Sequence, residues 1–215
     1  RSQKAGVDER NKEDEEAILV YGIKSNKPLN IDANNGAILD YNGKVYKEYE
    51  VPTYNDIDSS YAKDKIIVLA QMGIALPGEE FKPKEKMTQR DFLYLLAKAD
   101  YAYIDIEDEE KLYDYLINRG IIKEDEKAPE RFVTKEEAIK YIIRGLNYEE
   151  IAKLQDIFKD IFEDSKDVTD GLKGYVAIAY GLKIIEAENG KINPKAEIKR
   201  EDGAVLIYNY ILNAK

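Results

Sequence analysis

The side chains that most often carry catalysis are missing from this sequence, which has no histidine and no cysteine. Thiol nucleophiles, disulfides, zinc clusters of the common kind and every triad or dyad built on an imidazole are thereby excluded. What remains is 43 acidic and 33 basic residues, together with 17 tyrosines. Two carboxylates at a defined separation suffice for a glycosidase, so an acid-pair hydrolase is formally open, but no spacing singles out such a pair. The pattern that does recur joins a basic residue to an acid: Thr88-Gln89-Arg90-Asp91, Thr134-Lys135-Glu136-Glu137 and Lys199-Arg200-Glu201-Asp202. The first two fit a capping box, in which the hydroxyl accepts from the amide three residues on and the acid returns to the cap amide. The third keeps the acid without the hydroxyl. Capping accounts for the threonines and the acids, but not for the cations between them, because a cation near a helix N-terminus gains nothing from the dipole.

The tetrads must be positioned by helices, and the helices recur. Pro83, Pro129 and Pro194 each stand eight residues before the tetrad acid that opens an amphipathic stretch. Upstream of each proline another helix is predicted, ending at Met72-Gly73-Ile74, Arg119-Gly120-Ile121 and Tyr180-Gly181-Leu182, whose glycines read as left-handed C-caps. Further upstream each unit opens on an aromatic, any residue, Asp and Ile: Tyr54-Asn55-Asp56-Ile57, Tyr103-Ile104-Asp105-Ile106 and Phe158-Lys159-Asp160-Ile161. Ile66, Leu69 and Ala70 line one helical face of the first unit, and Phe92, Leu95 and Leu96 line the other. A lone helical hairpin of this size cannot bury such faces, so the three units must pack on one another.

Before the repeats the texture differs. Residues 1–16 are highly charged, Ala17–Ile23 is a strand-like run, Asn34-Asn35-Gly36 signals a turn and Ala37–Asp40 resumes in extended style. Asn42-Gly43 supplies a second turn before Val45 and Tyr46. Some 50 residues make a poor independent sheet core, which reads as the tail of a larger domain. An EF-hand over this stretch fails, because its twelfth position is Gly43 where a bidentate Glu is needed. The formal net charge of −10 argues against nonspecific nucleic-acid or anionic-membrane binding, and no apolar run is long enough to span a bilayer. The chain starts at Arg1 without a signal peptide, so we read it as an internal or C-terminal piece.

The unit resembles the S-layer homology domain of bacterial surface proteins, which occurs in threes. In the first unit the resemblance rests on Tyr54-Asn55-Asp56-Ile57, Tyr61-Ala62, Gly73-Ile74, Phe81-Lys82-Pro83 and the tetrad, with Tyr61 where the family usually has Trp. The Trp position holds Asp108 in the second unit and Thr169 in the third, and the tetrad Arg position holds Gln89, Lys135 and Arg200. Asn30–Asp40 is similar to the closing hairpin of a PepSY-type domain. These resemblances imply a mainly α fold, with three helix-hairpin repeats in a pseudo-three-fold bundle after a small β-hairpin-like segment. The expected divisions are 1–52, 53–101, 102–155 and 156–215.

The implied role is not enzymatic: noncovalent anchoring to a secondary cell-wall polysaccharide, anionic or pyruvylated, in grooves between repeats. The setting is extracellular, in the wall or surface layer of a Gram-positive bacterium, without cofactor or metal and without nucleic-acid or membrane partners. Helix N-termini at the grooves would favour an anion. Lys135, Arg200 and Arg90 are the expected contacts to ligand acid groups, with Gln89 at the remaining tetrad position. Tyr61 either stacks on a sugar face or packs in the core. Asp56, Asp105 and Asp160 either accept sugar hydroxyls or form local turns. The alternative is a lattice-forming or protein-interaction module that self-associates without direct glycan binding.

Overall fold

A computed structural model describes residues 20–23, 29–32, 34, 36–39, 51–100 and 108–214. The chain divides into two compact units, 1–50 and 51–215. In the first, β1 (Val20–Ile23), β2 (Leu29–Asp32) and β3 (Ile38–Leu39) form an antiparallel sheet in chain order. Val20 pairs with Asp32, Ile23 with Leu29, and Ile31 with Ile38. β1 falls within the expected run Ala17–Ile23, and β2 and β3 pair as the two arms of the hairpin expected over Asn30–Asp40. The turn after β2 is held by its own residues: Asp32 Oδ1 accepts from the Asn34 amide, and its carbonyl accepts from the amide of Gly36, both at 2.8 Å. Gly36 has φ +73°, which a side chain would resist. The charged lead-in, the Asn42-Gly43 turn, Val45 and Tyr46 lie outside the described residues.

The second unit is helical: α1 (Lys63–Gln71), α2 (Gln89–Ala99), α3 (Glu109–Asn118), α4 (Lys135–Gly145), α5 (Glu149–Ala152), α6 (Lys173–Gly181) and α7 (Arg200–Asn213). The tetrads open α2, α4 and α7 as expected. Thr88 Oγ1 accepts from the Asp91 amide at 3.2 Å, while Glu137 and Asp202 accept from the Thr134 and Lys199 amides at 3.0 and 2.9 Å. Gly73 (φ +81°) and Gly120 (φ +69°) end α1 and α3, each letting the next amide reach back at 2.9 Å, Ile74 to Leu69 and Ile121 to Leu116. The third glycine does not play this part. Gly181 remains helical, and Lys183 (φ +58°) takes the left-handed place so that the Ile184 amide reaches the Ala179 carbonyl at 2.9 Å. That closing bond offsets a backbone cost of roughly 1–2 kcal/mol for a residue with a Cβ.

The hairpin expectation is corrected in one respect. α2, α4 and α7 meet one another at the centre, but each preceding helix packs mainly on the central helix of a different segment: α1 on α7, α3 on α2 and α6 on α4. The loops before the central helices also join in a cycle. The Met87 amide donates to the Ile198 carbonyl (2.9 Å), Ile198 to Val133 (2.9 Å) and Val133 to Met87 (3.0 Å), with all three side chains buried. Just beyond, the Gln89, Lys135 and Arg200 amides donate to Arg131, Ala196 and Glu85, and the Arg90, Glu136 and Glu201 amides donate to the carbonyls of Pro129, Pro194 and Pro83. A carbonyl from the next segment thus satisfies each of the first two orphan donors of every central helix.

Candidate functional site

The first helical positions of α2, α4 and α7 hold Gln89, Lys135 and Arg200. Each has a different environment. Gln89 is fully buried: its amide nitrogen donates to the Glu126 carbonyl (2.9 Å) and Tyr141 hydroxyl (3.0 Å), and its oxygen accepts from the Tyr113 hydroxyl (2.9 Å) and Ala128 amide (2.7 Å). Both donors and both lone pairs are used, which leaves nothing for a ligand. Arg200 donates through Nε to the Phe81 carbonyl (2.6 Å) and through Nη1 to Asp91 Oδ2 (2.5 Å), with its guanidinium 5.6 Å from the Phe81 ring centroid.

Lys135 opens on a cleft. The cleft encloses about 580 Å³, and its walls include Tyr61, Lys65, Ile192, Asp202 and Asn209. Among the described residues the Lys135 ammonium makes no ion pair. Burial holds its pKa below the ordinary lysine value, against the opposing pull of Asp202, Asp164 and Glu188. Asp202, in the same cleft wall, has its hydrogen bonds from other groups: its Oδ1 accepts from the Tyr61 hydroxyl at 2.5 Å and its Oδ2 from the Lys199 amide at 2.9 Å. Burial of the Tyr61 hydroxyl and the Asp202 carboxylate both push that hydroxyl's pKa up, so it remains a donor. The Tyr61 ring is largely exposed at the cleft wall rather than packed in the core.

The other sequence-predicted residues separate from this cleft. Arg90 stands one position past Gln89 and pairs with Glu130 (2.9 Å) and Glu109 (3.7 Å). Asp56 accepts from the Phe81 and Lys82 amides at 2.8 and 2.7 Å, clamping the loop that carries Phe81, while Lys82 turns at φ +56°. The same clamp in the third segment is made by Asp164, which takes the Ile192 and Asn193 amides at 3.1 and 2.7 Å, with Asn193 at φ +53°. Asp160 is therefore not the counterpart of Asp56; it is exposed and paired with Lys173 at 2.8 Å. Two Phe-x-Asp triplets follow one another here, and Phe162-Glu163-Asp164, the one nearer Pro194, is the match. Asp105 lies outside the described residues. The helix N-termini expected to receive an anion have their first two amides occupied by backbone carbonyls.

Sequence reasoning named Arg90 as a ligand contact and missed the pairing role shared by the residues after Gln89, Lys135 and Arg200. Arg90 with Glu130, Glu136 with Lys195 (2.6 Å) and Glu201 with Lys84 (2.8 Å) join a central helix to the residue after the proline of the next segment, and the first pair has its charges reversed. The opposite signs at Pro129-Glu130, Pro194-Lys195 and Pro83-Lys84 were the available signal.

Residues 161–202 match the S-layer homology domain. Over 201 residues the chain is 29% identical to an amylopullulanase of Thermoanaerobacterium thermosulfurigenes, a match covering 84% of this chain and 11% of that protein. Over 175 residues it is 29% identical to the exoglucanase XynX of Acetivibrio thermocellus, covering 74% of this chain and 16% of the relative. The chain therefore spans only a small fraction of either relative, and its last helix–loop–helix segment carries an S-layer homology domain match.

Proposed function

We propose that the chain anchors a larger surface protein noncovalently to the bacterial cell wall by holding a secondary wall polysaccharide, anionic or pyruvylated, in the cleft at Lys135. In this reading residues 53–101, 102–155 and 156–215 are three S-layer homology repeats in a pseudo-three-fold bundle, residues 1–52 end in a PepSY-like tail, and the setting is a Gram-positive wall. The cyclic hydrogen bonding of Met87, Val133 and Ile198 supports the repeat arrangement. The observation that carries the binding role is an ammonium that makes no ion pair among the described residues, at the edge of a cleft with a tyrosine ring and an asparagine in its walls. Charged hydrogen bonds contribute roughly 1.5–3 kcal/mol each, so one local cation can hold a sugar acid despite the chain's overall negative charge. The fragment should cosediment with Gram-positive sacculi and cease to do so once the polymer is chemically removed. Lys135→Gln should weaken retention at least about tenfold. Equal retention on stripped sacculi, or by a folded Lys135→Gln protein, defeats the proposal.

A second reading, self-association, is favoured by the exposed apolar residues Ile151, Leu154, Ile157 and Ile161 in the stretch joining α4 to α6. Sedimentation equilibrium distinguishes it by a mass that rises with concentration.

A further inference from the structure

The Arg200 position carries the kind of group the Lys135 cleft offers, yet a carboxylate of the chain itself occupies it. Arg200 and Asp91 side chains are only 14% and 13% exposed and meet at 2.5 Å. Asp91 is the third residue of α2, as Asp202 is of α7 and Glu137 of α4. These three acids have different fates. Glu137 is gripped by both terminal nitrogens of Arg131 at 2.8 and 2.6 Å. Asp202 is held by the Tyr61 hydroxyl and the Lys199 amide, and Lys135 makes no ion pair among the described residues. Asp91 alone lies on the cation of the neighbouring tetrad.

We propose that Asp91 is a built-in occupant of the Arg200 position, seated where an acid group of a bound saccharide would otherwise sit. In this reading Lys135 is open to an anion, while Asp91 keeps the Arg200 guanidinium engaged. This inference rests on reading Lys135 as the ligand-binding cation. The physical ground is competition: a carboxylate already in the chain binds Arg200 intramolecularly, at an effective concentration that a dilute sugar acid does not match. At the Lys135 cleft Tyr61 gives Asp202, the acid equivalent to Asp91, a hydroxyl partner in place of a cation. It is a positioning residue for that carboxylate as well as part of the cleft wall.

The test uses sacculi that retain their secondary polymer and measures retention of the wild type, Lys135→Gln, Lys135→Gln/Asp91→Asn, and that double variant with Arg200→Gln added. Lys135→Gln is expected to lose binding at least about tenfold; Asp91→Asn should return it to within about threefold of wild type, and Arg200→Gln should abolish the gain. A folded double variant that stays as weak as Lys135→Gln overturns the inference while leaving the anchoring role intact. Failure of the wild type to bind overturns the anchoring role itself. Should Asp91→Asn and Asp91→Ser both misfold, titration of the wild type with acid-released polymer decides the matter: one acid-group site per chain is expected, and two refute closure by Asp91.

Discussion

Replacing Glu201 and Arg90 by alanine, one at a time, compares the same helical position in two settings. Glu201 is almost wholly buried, with its side chain 3% exposed, and its carboxylate accepts from Ser60 Oγ at 2.8 Å and from Lys84 at 2.9 and 2.8 Å. Alanine there strands the buried Ser60 hydroxyl, which costs about 1–3 kcal/mol, whereas the half-exposed Lys84 regains water. An acid is also lost from the first turn of α7, worth about 0.3–1 kcal/mol through the helix dipole. The sum is about 1.3–4 kcal/mol. Arg90, 34% exposed and paired to a Glu130 that is 75% exposed, belongs with surface pairs of about 0–1 kcal/mol, and its removal relieves the α2 dipole. The expected gap is about 2 kcal/mol, or roughly 4–8 °C in Tm for a domain of this size. Urea unfolding with unchanged slope measures it, and Ser60→Ala should recover about 1 kcal/mol only in the Glu201→Ala background. Equal losses for the two alanines, within about 0.5 kcal/mol, would refute the reasoning from burial.

Two further outcomes are expected. A Cβ on Gly174 would lie 2.0 Å from the Ala152 carbonyl oxygen and 2.7 Å from the Phe158 ring, so Gly174→Ala should lower Tm by about 5 °C or more despite the better helix propensity of alanine, and an unchanged melt contradicts that close approach. Burial pushes the Glu126 carboxyl up, but Arg144 and Lys140 outweigh it and hold its pKa at about 2, below the ordinary 4.5. Because the folded pKa is depressed, its contribution is present above pH 4.5 and disappears as pH falls toward about 2. Stability measured across that window should fall less steeply in Glu126→Gln, and an identical slope contradicts the assignment.

The repeated elements were legible because capping and turn chemistry are local. Threonine, acid and proline fixed the starts of α2 and α4, and Gly73 and Gly120 ended α1 and α3 with the conformation expected of them. The errors came where a local signal had two readings. Gly181 and Lys183 compete for the end of α6, and the lysine wins because the Ile184 amide can then reach Ala179. Asp160 and Asp164 compete for the loop clamp, and only the second faces the Ile192 and Asn193 amides. The site was half legible. Sequence selected Lys135 and Arg200 as cations, but which one stays unpaired depends on Asp91, Asp202 and Tyr61, brought together by packing between segments.

The packing of α1 on α7 makes synthesis and folding order inseparable. In an open solenoid each repeat meets only its neighbours, so an early portion can fold while later ones are still being made. Here α1 finds its main partner in the last helix of the unit, and Ser60 is bonded to Glu201 across 141 residues of chain. A nascent chain emerging N-terminus first holds Ile66, Leu69 and Ala70 without their native cover until α7 has left the ribosome. Loss of α7 by proteolysis or premature termination would uncover α1 as well, which turns an intact α7 into a checkpoint for the whole helical unit.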